Sequence, residues 1–103
     1  MTEPQPQIQI QVPDEQQGGQ YANMALVWHT PFEFTIDFAV LQAGTTDSEG
    51  RQVVPARVVS RVKFPPSQIF QLLQAINANM TIYESTYGPI SAPANGRPDD
   101  LGD

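Results

Sequence analysis

"ARVVSRVKFPPSQIFQLLQAI" (residues 56–76) changes its hydrophobic period partway along, at Pro65-Pro66. Before the prolines, Ala56, Val58, Ser60, Val62 and Phe64 alternate with Arg57, Val59, Arg61 and Lys63, the period of two expected of a strand. After them, Ile69, Leu72, Leu73, Ile76, Met80, Tyr83 and Tyr87 recur every three or four residues. That spacing predicts an amphipathic helix of about five turns. Pro66 suits the first helical turn, where its missing N–H costs nothing, and Gly88-Pro89 is a stop signal. The stretch therefore commits the chain to a strand followed by a helix.

Upstream of it the period is two throughout. In "FEFTIDFAVL" (32–41), Phe34, Ile36, Phe38 and Val40 are expected to form the core face, and Glu33, Thr35, Asp37 and Ala39 the opposite one. In "YANMALVWH" (21–29), Ala22, Met24, Leu26 and Trp28 alternate with Tyr21, Asn23, Ala25, Val27 and His29. The short proline-containing break between the two runs predicts a β-hairpin. "QIQIQV" (7–12) also alternates and is expected to be a short, glutamine-faced edge strand. Pro13 and Gly18-Gly19 end it. "QAGTTDSEGRQ" (42–52) is expected to be a mobile polar loop. The order is β-β-β-β-α. The predicted fold is α+β: a small antiparallel sheet of three or four strands with one C-terminal amphipathic helix packed on one face.

The ends are different in kind. Residues 1–6 and 91–103 ("SAPANGRPDDLGD") are proline-rich, acidic and short of anything to bury, and are expected to be disordered. The single α+β domain then spans 7–90. At this size one core is marginal, and oligomerisation is a common remedy. The net charge of −6 is concentrated outside the strands and helix. Between Tyr21 and Ile90, Glu33, Asp37, Asp47, Glu49 and Glu84 face Arg51, Arg57, Arg61 and Lys63, which is nearly neutral. Overall acidity argues against non-specific polyanion binding. The chain has no cysteine, which removes disulfides and thiolate metal sites. Neither a membrane span nor a secretory leader is evident, so a cytoplasmic protein without membrane partners is expected.

Several spaced motifs stand in one order: "YAN" at 21–23, H-x-P-x-E-F at His29, Pro31, Glu33 and Phe34, and "DF" at 37–38. "SRV" at 60–62 then runs into a proline-started helix that closes with Asn79, Tyr83-Glu84 and Tyr87-Gly88. In these the chain resembles, from about Ile8 to Ile90, a family of short bacterial and archaeal proteins known mainly as a domain of unknown function. The resemblance implies the fold and carries no activity. There are two departures. Pro65 stands where the family usually has Ser or Thr, so no side-chain oxygen caps the helix there and its start is expected to shift toward Ser67. The loop at 43–52 is longer than usual.

Chemistry has few places to reside. His29, Glu33 and Asp37 are a base-and-acid combination, but no nucleophile accompanies them and one histidine with two acids is a poor zinc set. The expected role of His29, Pro31 and Glu33 is to form the hairpin turn, with a His29–Glu33 contact fixing its shape. Arg57, Arg61 and Lys63 share a strand face on which Tyr21 can also lie. Such a face can bind single-stranded nucleic acid, or its arginines can pair with Asp37 and Glu33 across the sheet. "GTTDSEG" lacks the lysine of a phosphate-binding loop, and Asp47 with Glu49 is too little for calcium. The candidate interaction face is thus Tyr21, Asn23, Val27, Asp37, Arg57, Val59, Arg61 and Lys63. No catalytic, metal or cofactor-binding residue is expected. The sequence points to a small non-enzymatic homodimer that binds or assembles with a partner, with a nucleic-acid-binding regulator using Arg57, Arg61 and Lys63 as the alternative.

Overall fold

The structure is a computed structural model and describes residues 5–91. The tails expected at 1–6 and 91–103 fall outside the described residues except for Gln5, Pro6 and Ser91. The fold is α+β, with an antiparallel three-stranded sheet, a second small sheet and one C-terminal helix. The described residues divide into two units, 5–29 with 35–63, and 30–34 with 64–91.

In the first unit, strands β1 (Met24–His29), β2 (Phe34–Leu41) and β5 (Ala56–Phe64) stand in the order β1-β2-β5, so β2 is central. β1 and β2 are joined by a tight turn. Beyond the upper end of β1, the Asn23 N–H donates to the Ala39 carbonyl at 3.0 Å, and its side-chain oxygen accepts from the Leu41 N–H at 3.0 Å. Asn23 therefore clips the hairpin shut where the ladder would otherwise fray.

Between β2 and β5 the expected mobile loop is instead a second, miniature hairpin, β3 (Thr45–Thr46) paired antiparallel with β4 (Gln52–Val53). Asp47 builds its turn. One carboxylate oxygen accepts from the N–H groups of Glu49 and Arg51, each at 2.9 Å, and the Gly50 N–H donates to the Asp47 carbonyl at 3.0 Å. Gly50 has φ 81°, a left-handed conformation that a side chain would strain.

Residues 7–12 form no strand, contrary to expectation. Ile8, Ile10 and Val12 are exposed, and the chain turns after them through one 3-10 turn, Asp14–Gln16. Alternation fixes which way side chains point, but a strand also needs a neighbour to bond.

In the second unit, Pro65 is extended and a 3-10 turn, Pro66–Gln68, leads into α1 (Ile69–Tyr87). Neither Pro65 nor Gln68 offers a side-chain cap, which accords with the lost Ser or Thr. At the other end Gly88 has φ 100°, and its N–H donates to the Glu84 carbonyl at 2.9 Å. The Glu84 carboxylate then accepts from the Ile90 N–H at 2.8 Å, folding the chain back over the helix end.

The core is not where the alternation suggested. On β2 the buried residues are Thr35, Asp37 and Ala39, and Ala39 is the one fully buried apolar residue among those described. Phe34, Ile36 and Val40 are half-buried, and Phe38 is 37% exposed. No residue of α1 is buried.

Candidate functional site

Asp37 sits at the middle of the central strand with its side chain 3% exposed. A buried carboxylate must be matched by donors, and the two flanking strands supply them. From β5, Arg61 Nε donates to Oδ1 at 2.7 Å and Nη2 to Oδ2 at 2.9 Å, the forked pairing that guanidinium geometry favours. From β1, the indole Nε1 of Trp28 donates to Oδ2 at 2.9 Å. One step along, Lys63 Nζ donates to Thr35 Oγ1 at 3.1 Å. The Arg61 hydrogen bond, aided by the Trp28 hydrogen bond and by the charges of Arg61 and Lys63, outweighs burial and holds the Asp37 pKa below the ordinary 3.8. The same pair raises that of Arg61. Trp28, Thr35, Arg61 and Lys63 line a depression of about 200 Å³.

These contacts settle which residues share a face. Thr35, Asp37 and Ala39 lie with Arg61 and Lys63, and alternation adds Arg57 and Val59. Trp28 joins them, so Met24 and Leu26 do too, in keeping with their partial burial. The expected interaction face is thereby corrected at Val27. It points to the opposite face with Phe38, Val58 and Val62, and is 61% exposed. The cause is the turn. Thr30 and Glu33 pair across it, the Thr30 N–H donating to the Glu33 carbonyl at 2.9 Å, so only Pro31 and Phe32 lie between. Counting back equally along both arms sets Trp28 against Thr35 and puts the even-numbered residues of β1 on the Asp37 side.

The other expected residues divide by role. Tyr21 lies ahead of β1 and is 74% exposed, and Asn23 is the hairpin clip. His29 ends β1, and the turn between it and β2 is shaped by Thr30, which the sequence reading passed over. Its hydroxyl accepts from the N–H groups of Phe32 at 3.1 Å and Glu33 at 3.2 Å. Arg57 makes no ion pair with the described residues. Arg51 is engaged by Asp47 at 3.1 Å and Glu49 at 2.9 Å. Among the described residues, no three His, Asp or Glu side chains gather as metal ligands would, and no helix is long and apolar enough to cross a membrane.

Two apolar surfaces complete the inventory. On the sheet, Phe38, Val58 and Val62 are exposed by 37%, 42% and 38%. On α1, Leu73, Ile76, Met80 and Tyr83 follow the helical repeat and are all exposed. Ala75 and Asn79 are smaller than their neighbours, leaving an open groove of about 440 Å³ bounded by Ile76, Met80, Tyr83 and Ile90. Glu84 is the one charged residue in the 19 of this helix.

A family described as "Protein of unknown function (DUF3467)" matches residues 1–92. No curated protein and no solved structure matches the chain.

Proposed function

We propose that this chain, which belongs to the DUF3467 family of proteins of unknown function, is a small non-enzymatic homodimeric module that binds or assembles with a partner. The observation that carries the reading is α1. A helix exposed to water on all sides is normally studded with charges. This one has a single charge, no buried residue and an apolar stripe from Leu73 to Tyr83. Burying one large aliphatic or aromatic side chain stabilises by roughly 1.5–3 kcal/mol. A row of them left in water is therefore a strong drive to associate, and a second copy offers a matching row by symmetry.

The polar groups favour assembly over catalysis. Asp37 and Asp47 are each held ionised by several donors, with pKa values pushed down and away from neutrality. That is the opposite of what a general base near neutral pH needs. They also weigh against the nucleic-acid alternative. Arg61 and Arg51 spend their charge on acids of the same chain, so the positive stripe of Arg57, Arg61 and Lys63 is largely cancelled at its centre.

Light scattering on the full chain at micromolar concentration should give twice the 11.3 kDa chain mass. A monomer mass at that concentration rules the homodimer out.

A further inference from the structure

Residues 7–12 satisfy every local requirement of a strand except a neighbour. Ile8 and Ile10 are 86% and 83% exposed, Val12 is 54% exposed, and no ladder includes the segment. It cannot be excused as a tail that is too polar to order, since every second side chain is aliphatic. All six of its residues are exposed.

The sheet presents the complementary deficiency. With the order β1-β2-β5, β1 is an edge strand, with no strand of the described residues on its outer side. Proteins usually protect such edges with lysine, proline, glycine-centred bulges or inward charges. β5, the other edge, carries Arg57, Arg61 and Lys63. β1, "MALVWH", has no lysine, arginine, acid, proline or glycine. It is six residues long, the same as the unpaired segment 7–12.

We propose that Gln7–Val12 of one copy adds as a strand to the free edge of β1 in a second copy, each copy donating one arm and accepting one. This rests on the homodimer reading above and adds to its α1 contact a second mode of recognition, strand addition through main-chain hydrogen bonds. The exchange is between copies because within its own chain the segment forms no ladder with β1, and a turn separates the two. Gln16 N–H closes on the Pro13 carbonyl at 2.8 Å, Gly19 N–H on the Gln16 carbonyl at 3.0 Å, and Gly19 turns the chain at φ 71°. Side chains fit as well as backbone. With Ile8, Ile10 and Val12 beside Val27, the arm widens the apolar sheet face, and its glutamines lie beside Trp28. Reciprocal donation also closes the assembly, since both unprotected edges are used.

The test uses the full chain, half of it isotopically labelled and mixed with unlabelled protein, together with light scattering. Support consists of a dimer in which alternate amides of residues 7–12 exchange at least roughly tenfold more slowly than in an open chain, with contacts from the labelled arm to β1 of the unlabelled copy. Ile10→Pro, which removes one main-chain donor from a segment outside the sheet, should then abolish that protection and shift the equilibrium about tenfold toward monomer, leaving the sheet intact by circular dichroism. A dimer with freely exchanging arm amides overturns arm exchange and leaves the homodimer standing. Contacts from the arm to β1 of its own copy overturn it too. A monomer with unprotected arms removes both.

Discussion

Arg61 and Trp28 hold the same carboxylate from opposite sides. Nε and Nη2 of the arginine, on β5, and Nε1 of the indole, on β1, converge on Asp37 of β2 at 2.7–2.9 Å. A charge on the central strand thus ties together all three strands of the sheet. The face it occupies is the more buried one, while on the apolar face of β2 Phe34, Ile36 and Val40 are only half-buried. Water is excluded from Asp37 by the side chains that bind it.

Stability should depend on pH through this carboxylate. Its folded pKa lies below the ordinary 3.8, so the folded state binds the anion's partners and the unfolded state binds the proton more readily. The contribution is complete above the unfolded pKa and is lost as pH falls from about 3.8 to the lower folded value. Asp37→Asn should flatten that acid limb in chemical denaturation measured from neutral to pH 3. An unchanged acid limb would show that Asp37 is not its source.

Arg61→Met should lower the melting temperature more than Arg57→Ala does, because it leaves Asp37 buried without its main cation. Arg57 makes no ion pair among the described residues, and its loss should stay within about 0.5 kcal/mol. Adding Asp37→Asn to Arg61→Met should recover part of the loss, since the stranded charge is then gone. Equal and additive effects of the two single changes would contradict the geometry.

Ile76→Asp and Met80→Asp place a charge in the α1 groove and should weaken dimerisation by roughly 2 kcal/mol or more each, the scale of an interface hot spot. Gln71→Asp puts the same charge at an exposed helix position outside the groove and serves as the control. Sedimentation across a concentration series reads the difference directly.

Thr30→Ala should destabilise the chain by about 0.5–1.5 kcal/mol through loss of a hydroxyl that serves two turn amides. His29→Ala, at the end of β1, should cost no more than about 1 kcal/mol. Urea unfolding of both variants gives the comparison, and a larger loss at His29 would return that residue to the centre of the site.

The strands at 24–29, 34–41 and 56–64 and the helix at 69–87 were legible because each has a run of side chains long enough to declare its period. Three features were not. Residues 7–12 have the right alternation, but a sequence does not display the neighbour that a strand must bond. The inward face of β1 depended on whether the turn after it held an odd or even number of residues, and Trp28 changes sides with that parity. The β3–β4 hairpin was readable in principle, from Asp47 with Gly50 three residues later, the spacing of a type I turn. It was hidden by the polarity of everything around it. Of the site, a pairing of the β5 arginines with Asp37 and Glu33 followed from alternation and charge, but not that Arg61 alone of Arg57 and Arg61 takes Asp37. The indole's share in it did not.

The Asp47 hairpin also bears on the order in which the chain can fold. β2 and β5 are separated by residues 42–55, and their pairing must close that loop. Every contact that shapes the Asp47 turn is made within five residues, so the hairpin can form on its own in microseconds, before distant strands meet. Once formed, it removes residues 45–53 from the flexible connection, and the Gln42 N–H to Pro55 carbonyl bond of 2.8 Å seals its base. Shortening the free loop by nearly two thirds lowers the entropic cost of closure by about 0.9 kcal/mol. The longest interruption in the sheet therefore acts as a guide, bringing β5 to β2 ahead of the search that the bare chain length would impose.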